Sequence, residues 1–111
     1  MILRMYTGDD GQSHFQELDL PTEDWQPVAL KPGADVFLRC FPEGEFHDWH
    51  NEPRRQYGVI LTGEVRFEVG DGSTRTVYPG GMTLGEDLTG QGHTSTIVKG
   101  PCSAIFLPLP D

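Results

Sequence analysis

Apolar and polar residues alternate along this chain in short bursts, and no stretch carries a sustained 3.6-residue period. The cleanest burst is Glu64 to Val69, where Val65, Phe67 and Val69 fall on one side and Glu64, Arg66 and Glu68 on the other. That is the pattern of a strand with one buried face. Ile2 to Tyr6 and His14 to Leu18 flank the turn Gly8-Asp9-Asp10-Gly11 and read as a hairpin. Ala34 to Phe41 is the next strand. Gln56 to Leu61 follows, apolar on both faces and therefore expected at the centre of a sheet. Beyond Glu64–Val69, the turn Asp71-Gly72 leads into Arg75 to Tyr78, and Pro79-Gly80-Gly81 breaks the chain before Met82 to Leu84. Thr94 to Val98 and Ala104 to Leu107 complete the set. The polar stretch Pro21 to Pro27 reads as a loop or one helical turn. About nine or ten strands at intervals of roughly 8 to 12 residues predict an all-β sandwich or closed barrel. The immunoglobulin plan is disfavoured, because its Cys–Trp–Cys spacing is missing.

Residues 1–111 are one domain's worth of chain, long enough to bury a core without covalent staples. Seventeen acidic residues against eight basic ones give a net charge of −9, and the only adjacent basic pair is Arg54-Arg55. Neither nucleic acid nor an anionic membrane surface suits that balance. The chain has no apolar run long enough to span a bilayer, and Gly8-Asp9-Asp10 interrupts the start before a signal-peptide core. A cytoplasmic setting is the expectation. Cys40 and Cys102 each sit in an apolar stretch without paired spacing, and are expected as buried structural thiols. A disulfide between them stays open.

The residues that bear chemistry crowd into Glu43 to Gln56. This segment holds two of the four histidines, His47 and His50, with Glu52 and Gln56 close behind. On a regular strand, side chains at even separations share a face, so His50, Glu52 and Gln56 belong together and His47 points away to a rim. Gly58, on the same face, leaves space for a pocket floor. Phe41, Trp49 and Tyr57 are expected as core or pocket wall. Arg54 and Arg55 are either solvated or placed at a mouth to grip a carboxylate ligand. His14 is expected to be structural or exposed in the hairpin. Glu86-Asp87 reads as a charged turn, or as groups that orient His93. No nucleophile elbow or phosphate-cradling glycine loop is present.

Gly44, five residues, His50-x-Glu52, three residues, Gln56, six residues and Gly63 reproduce the spacing of the first motif of the cupin superfamily. Glu52 stands where that motif has its second His, and Gln56 where it has its Glu. Gly80 and Gly90-Gln91-Gly92-His93 resemble the second motif, over about residues 80–97, with Ile97 where an Asn is usual. The resemblance implies a single-domain jelly-roll barrel that holds a divalent metal inside, with His50 and His93 as ligands and Glu52 and Gln56 at altered ligand positions. Two histidines and a carboxylate with open positions also suit non-haem iron. Iron, manganese, nickel, cobalt and zinc are all compatible. The implied activity is chemistry on a small organic molecule, by dioxygenation, isomerisation or elimination. A metal-free barrel that binds or senses a small molecule is the alternative, and for Glu52 plain solvent exposure competes with ligation. The resemblance also implies a homodimer.

Overall fold

The computed structural model describes residues 1–111 except Glu23 and Trp25. The loop or helical turn expected over Pro21–Pro27 therefore lies partly outside the described residues. Among the described residues the chain forms ten strands: β1 (Ile2–Thr7), β2 (Ser13–Leu18), β3 (Phe37–Phe41), β4 (Phe46–His50), β5 (Gln56–Ile60), β6 (Glu64–Glu68), β7 (Thr74–Val77), β8 (Met82–Glu86), β9 (His93–Lys99) and β10 (Cys102–Pro108). No helix long and apolar enough to cross a membrane occurs among them.

The strands build two sheets. The larger runs β2-β1-β8-β5-β10-β3 and the smaller β4-β9-β6-β7. Neighbours pair antiparallel except β1 and β8, which run parallel. One core lies between the sheets. Leu3, Met5, Ile60, Cys102 and Ala104 come from the larger sheet, and Val65, Phe67, Val77 and Ile97 from the smaller. The alternation of Glu64–Val69 is realised in full: its three apolar residues are buried, and Arg66 and Glu68 are exposed. Each such side chain removed from water stabilises the fold by about 1.5–3 kcal/mol. The architecture is a jelly-roll sandwich of two separate hydrogen-bonded sheets.

A second, smaller cluster of Ile2, Leu84 and Leu109 covers the outer face of the larger sheet, with Tyr57 packed against it. β5, between β8 and β10, is thus covered on both faces, as its doubly apolar pattern predicts.

Three expectations need correction. First, β3 starts at Phe37 rather than Ala34, and as an edge strand it leaves Cys40 exposed, while Cys102 is buried; both thiols are free. Cys40 neighbours Phe41 in sequence and so projects from the opposite face of the strand. Second, Glu43–Gln56 is not one strand. β4 ends at His50 in the smaller sheet and β5 begins at Gln56 in the larger, with Pro53 in the link that crosses between them. Third, the space over Gly58 is no pocket floor, because Phe106 and Thr83 fill it: a Cβ there would run into both.

Candidate functional site

Ladder register decides what faces the space between the sheets. Cys102, Ala104 and Phe106 on β10 pair with Phe41, Arg39 and Phe37 on β3, while Ala104 and Phe106 also pair with Ile60 and Gly58 on β5. Paired residues project from the same face, so these side chains form one inner wall. Opposite them, β9 turns His93, Ser95 and Ile97 inward. The result is a cavity of about 400 Å³. Its apolar lining includes Met5, Ile60, Phe67, Ile97 and Phe106, and its polar groups gather at His47, His50, Glu52, Gln56 and His93.

His47 belongs to this cavity despite its odd spacing from His50. His47 pairs with Ser95 and His50 with His93, so β4 spends three steps where β9 spends two. The extra residue is a β-bulge, and it returns both imidazoles to one face. The His47 ring stands 5.9 Å from that of His50, which is 4.5 Å from that of His93. His47 is partly solvated, with Nε2 3.0 Å from Glu45 Oε2 and Nδ1 3.2 Å from Ser95 Oγ. Gly92 makes the approach of β4 possible: it adopts a φ of 78°, and a Cβ there would overlap the His50 carbonyl.

His93 is the best-anchored group of the site, only 2% exposed. Its Nδ1–H donates to Asp87 Oδ2 at 2.6 Å, and the same oxygen accepts from Ser13 Oγ at 2.6 Å. An ionised carboxylate only accepts, so the bond sets the tautomer and leaves Nε2 as a lone-pair donor. Asp87 is wholly buried, lies outside the cavity lining, and its Oδ1 has no hydrogen-bond partner among the described residues. Glu52 sits on the other side of His93, with Oε2 3.9 Å from Nε2, beyond hydrogen-bond range. Its Oε1 accepts from Gln56 Nε2 at 2.8 Å, and Gln56 Oε1 accepts from Arg54 Nη1 at 3.3 Å. Burial pushes the Glu52 carboxyl above its usual range, against the pull of Gln56 and His93. Burial likewise lowers the His50 pKa, so its neutral ring is favoured. His50 Nδ1 is 2.7 Å from the Asp48 carbonyl, to which it donates, and this frees Nε2. Glu52, Asp87 and His93 place one donor atom each within 4.8 Å of one another.

The expected site residues separate accordingly. His50, Glu52, Gln56 and His93 come together, and Phe41 lines the same cavity. Gln56 is turned toward Glu52 and Arg54, a positioning contact. Trp49 is 40% exposed and outside the cavity lining, and Tyr57 belongs to the outer cluster on the reverse face of β5. Arg54 borders an adjoining hollow rather than the main cavity. His14 stays in the hairpin, bonded to Asp10. The charged pair splits: Glu86 faces outward to Arg4 at 2.6 Å and Arg55 at 2.5 Å, whereas Asp87 turns inward to His93. Sequence reasoning undervalued Asp87, which the fold buries completely. Glu52, for which solvent exposure competed with ligation, has a mostly buried side chain, 13% exposed.

No protein-family model matches the chain, and no curated protein does. Among solved structures, a conserved protein of unknown function from Streptococcus pyogenes aligns at a TM-score of 0.49 with 15% identity, over 74% of this chain and 81% of that one.

Proposed function

We propose that the protein is a cupin-type metalloprotein that holds one divalent cation between His93 Nε2 and Glu52, beside His50, and uses it on a small organic molecule lodged in the cavity. The observation that carries this reading is the Asp87–His93–Glu52 arrangement. A buried imidazole whose far nitrogen is fixed by a carboxylate is the usual support of a metal-ligating histidine. The 3.9 Å between His93 Nε2 and Glu52 Oε2 is too long for a hydrogen bond and within the span of two metal–ligand bonds of about 2.1 Å each. The donor set fits a cation as well: Nε2 of the buried His93 faces the mostly buried Glu52 carboxyl, and the neutral ring of His50 stands beside it. A bound cation would supply Lewis-acid polarisation or an activated water. The residues do the rest. Asp87 and Ser13 fix the ring of His93, Gln56 aims the Glu52 carboxylate, and the apolar walls exclude water from the reacting molecule.

The raised pKa of Glu52 favours a second reading, in which a protonated Glu52 and His93 bind an organic ligand without metal. Elemental analysis separates the two. Protein purified without chelators is expected to carry about one equivalent of iron, manganese, nickel, cobalt or zinc. Gly85→Ala is the informative variant, since a Cβ at Gly85 would overlap the Cγ, Cδ and Oε2 of Glu52 and push the carboxyl aside. The displaced group is the far end of a flexible side chain, so the fold should survive while metal affinity falls by about tenfold or more. A parent that stays empty after reconstitution with each of the five metals would establish the metal-free reading instead.

A further inference from the structure

The inner face of β3 carries Phe37, Arg39 and Phe41 in succession, an arginine between two aromatic rings. The Arg39 guanidinium lies 4.7 Å from the Phe41 ring centroid, and that of Arg54, in the β4–β5 link, lies 5.2 Å from the Phe37 ring. Such stacking fixes a planar guanidinium by its faces and leaves its N–H edges open to a ligand, apart from the Arg54 N–H that donates to Gln56 Oε1. Among the described residues neither arginine forms an ion pair with a carboxylate, whereas Arg4 and Arg55 share Glu86 and Arg75 approaches Glu17. In a chain with a net charge of −9, two guanidinium groups without acidic partners among the described residues line one hollow. That hollow, of about 320 Å³, adjoins the main cavity, and Arg39 lines both. From there inward the wall is mainly apolar, through Phe106, Ala104 and Ile60 to Phe67.

We infer that the ligand is a carboxylate with a compact apolar body. Its carboxylate is clamped by Arg39 and Arg54 in the outer hollow, and its body extends into the cavity toward His50, Glu52 and His93. The inference rests on reading the cavity as a small-molecule site, and it holds whether or not a metal is present. A guanidinium fork matches a carboxylate with two parallel N–H···O bonds, and a neutral amide of the same shape cannot replace that charge. Stacking on Phe37 and Phe41 holds the two forks ready before the ligand arrives, which lowers the entropy lost on binding.

Calorimetric titration with matched pairs tests this: benzoate against benzamide, phenylacetate against phenylacetamide, and 3-phenylpropionate against its amide. Each titration is run on protein as purified and on chelator-treated protein, with metal content measured in the same samples. At least one acid should bind about tenfold or more tightly than its amide. That preference should fall in Arg39→Gln, with metal content and circular dichroism unchanged, vanish in Arg39→Gln/Arg54→Gln, and return partly in Arg39→Lys/Arg54→Lys. Metal content is compared only in the Arg39 variant, because Arg54 also donates to Gln56. Equal binding of acid and amide throughout the panel, or binding of neither, would overturn the inference. So would an acid preference that survives the double Gln variant, because the carboxylate would then sit elsewhere, for instance on a cation. Loss of the metal reading shows separately, as a parent without metal that still prefers the acid.

Discussion

Replacing His93 by alanine is expected to weaken cation binding by more than about a hundredfold and to lower stability by about 4–6 kcal/mol. The first effect follows from its position. His93 offers the one ring nitrogen of the site that is both buried and fixed in tautomer by a carboxylate, so its loss should exceed the roughly 10–100-fold that removing an outer partner costs. The second has two sources. The ring packs against Phe67 and His50, with centroids 5.6 and 4.5 Å away, and deleting a buried ring of this kind leaves a cavity worth about 3 kcal/mol. Asp87 also loses one of its two donors inside the protein, where an unmet polar group costs about 1–3 kcal/mol. Urea unfolding in excess chelator isolates the stability change from metal linkage. Zinc and cobalt titrations read the affinity. A variant that binds either metal as the parent does would remove His93 from the site.

Asp87→Asn should be the second most damaging change, with a different signature. The side chain keeps its shape, and the residue neither lines the cavity nor reaches a ligand there. It nevertheless decides which nitrogen of His93 carries the proton. If the amide keeps its oxygen toward Ser13 and His93, its NH2 is buried in the place of Oδ1, which makes no hydrogen bond among the described residues. If it turns its NH2 to His93 Nδ1, the ring must protonate Nε2, and the lone pair that faces Glu52 disappears. Either arrangement lowers metal affinity by about 10–100-fold, with a loss of stability of about 1–3 kcal/mol. Nitrogen-15 NMR of the histidine rings reads the tautomer directly. Unchanged affinity together with an unchanged His93 tautomer would show that Asp87 serves packing alone.

Much of the fold is legible from parity and punctuation. The hairpin of β1 and β2 follows from its glycine–aspartate turn, and β6 from a run in which alternate residues share a character. The parallel pairing of β1 with β8 is not legible, because it joins segments some 80 residues apart in a register that only the sheet context sets. Parity also fails where its premise fails. It misplaces His47 because the bulge in β4 adds one residue, and it treats Glu52 and Gln56 as one strand although the chain changes sheets between them. The burial of Asp87 left a usable trace. Thr83 and Gly85 on β8 pair with Leu3 and Met5 of the inner face, and extending their odd-numbered face by one step reaches Asp87, while Leu84 and Glu86 face out. Two adjacent acids conceal that difference when they are read as one charged turn. The walls of the pocket were the least legible part. Trp49 and Tyr57 are large and aromatic, as pocket residues often are, but their orientation depends on which side of the strand they leave.

The central claim is that a cation belongs between His93 and Glu52. Crystals of the protein reconstituted with manganese, cobalt or zinc, measured above and below the metal's absorption edge, test it most directly. A single anomalous peak within bonding distance of His93 Nε2 and a Glu52 oxygen, with Asp87 behind the ring and out of contact, is the predicted result. A metal bound only at surface groups such as His14 and Asp10, with the His93–Glu52 gap closed by a hydrogen bond or filled by an organic ligand, would contradict it.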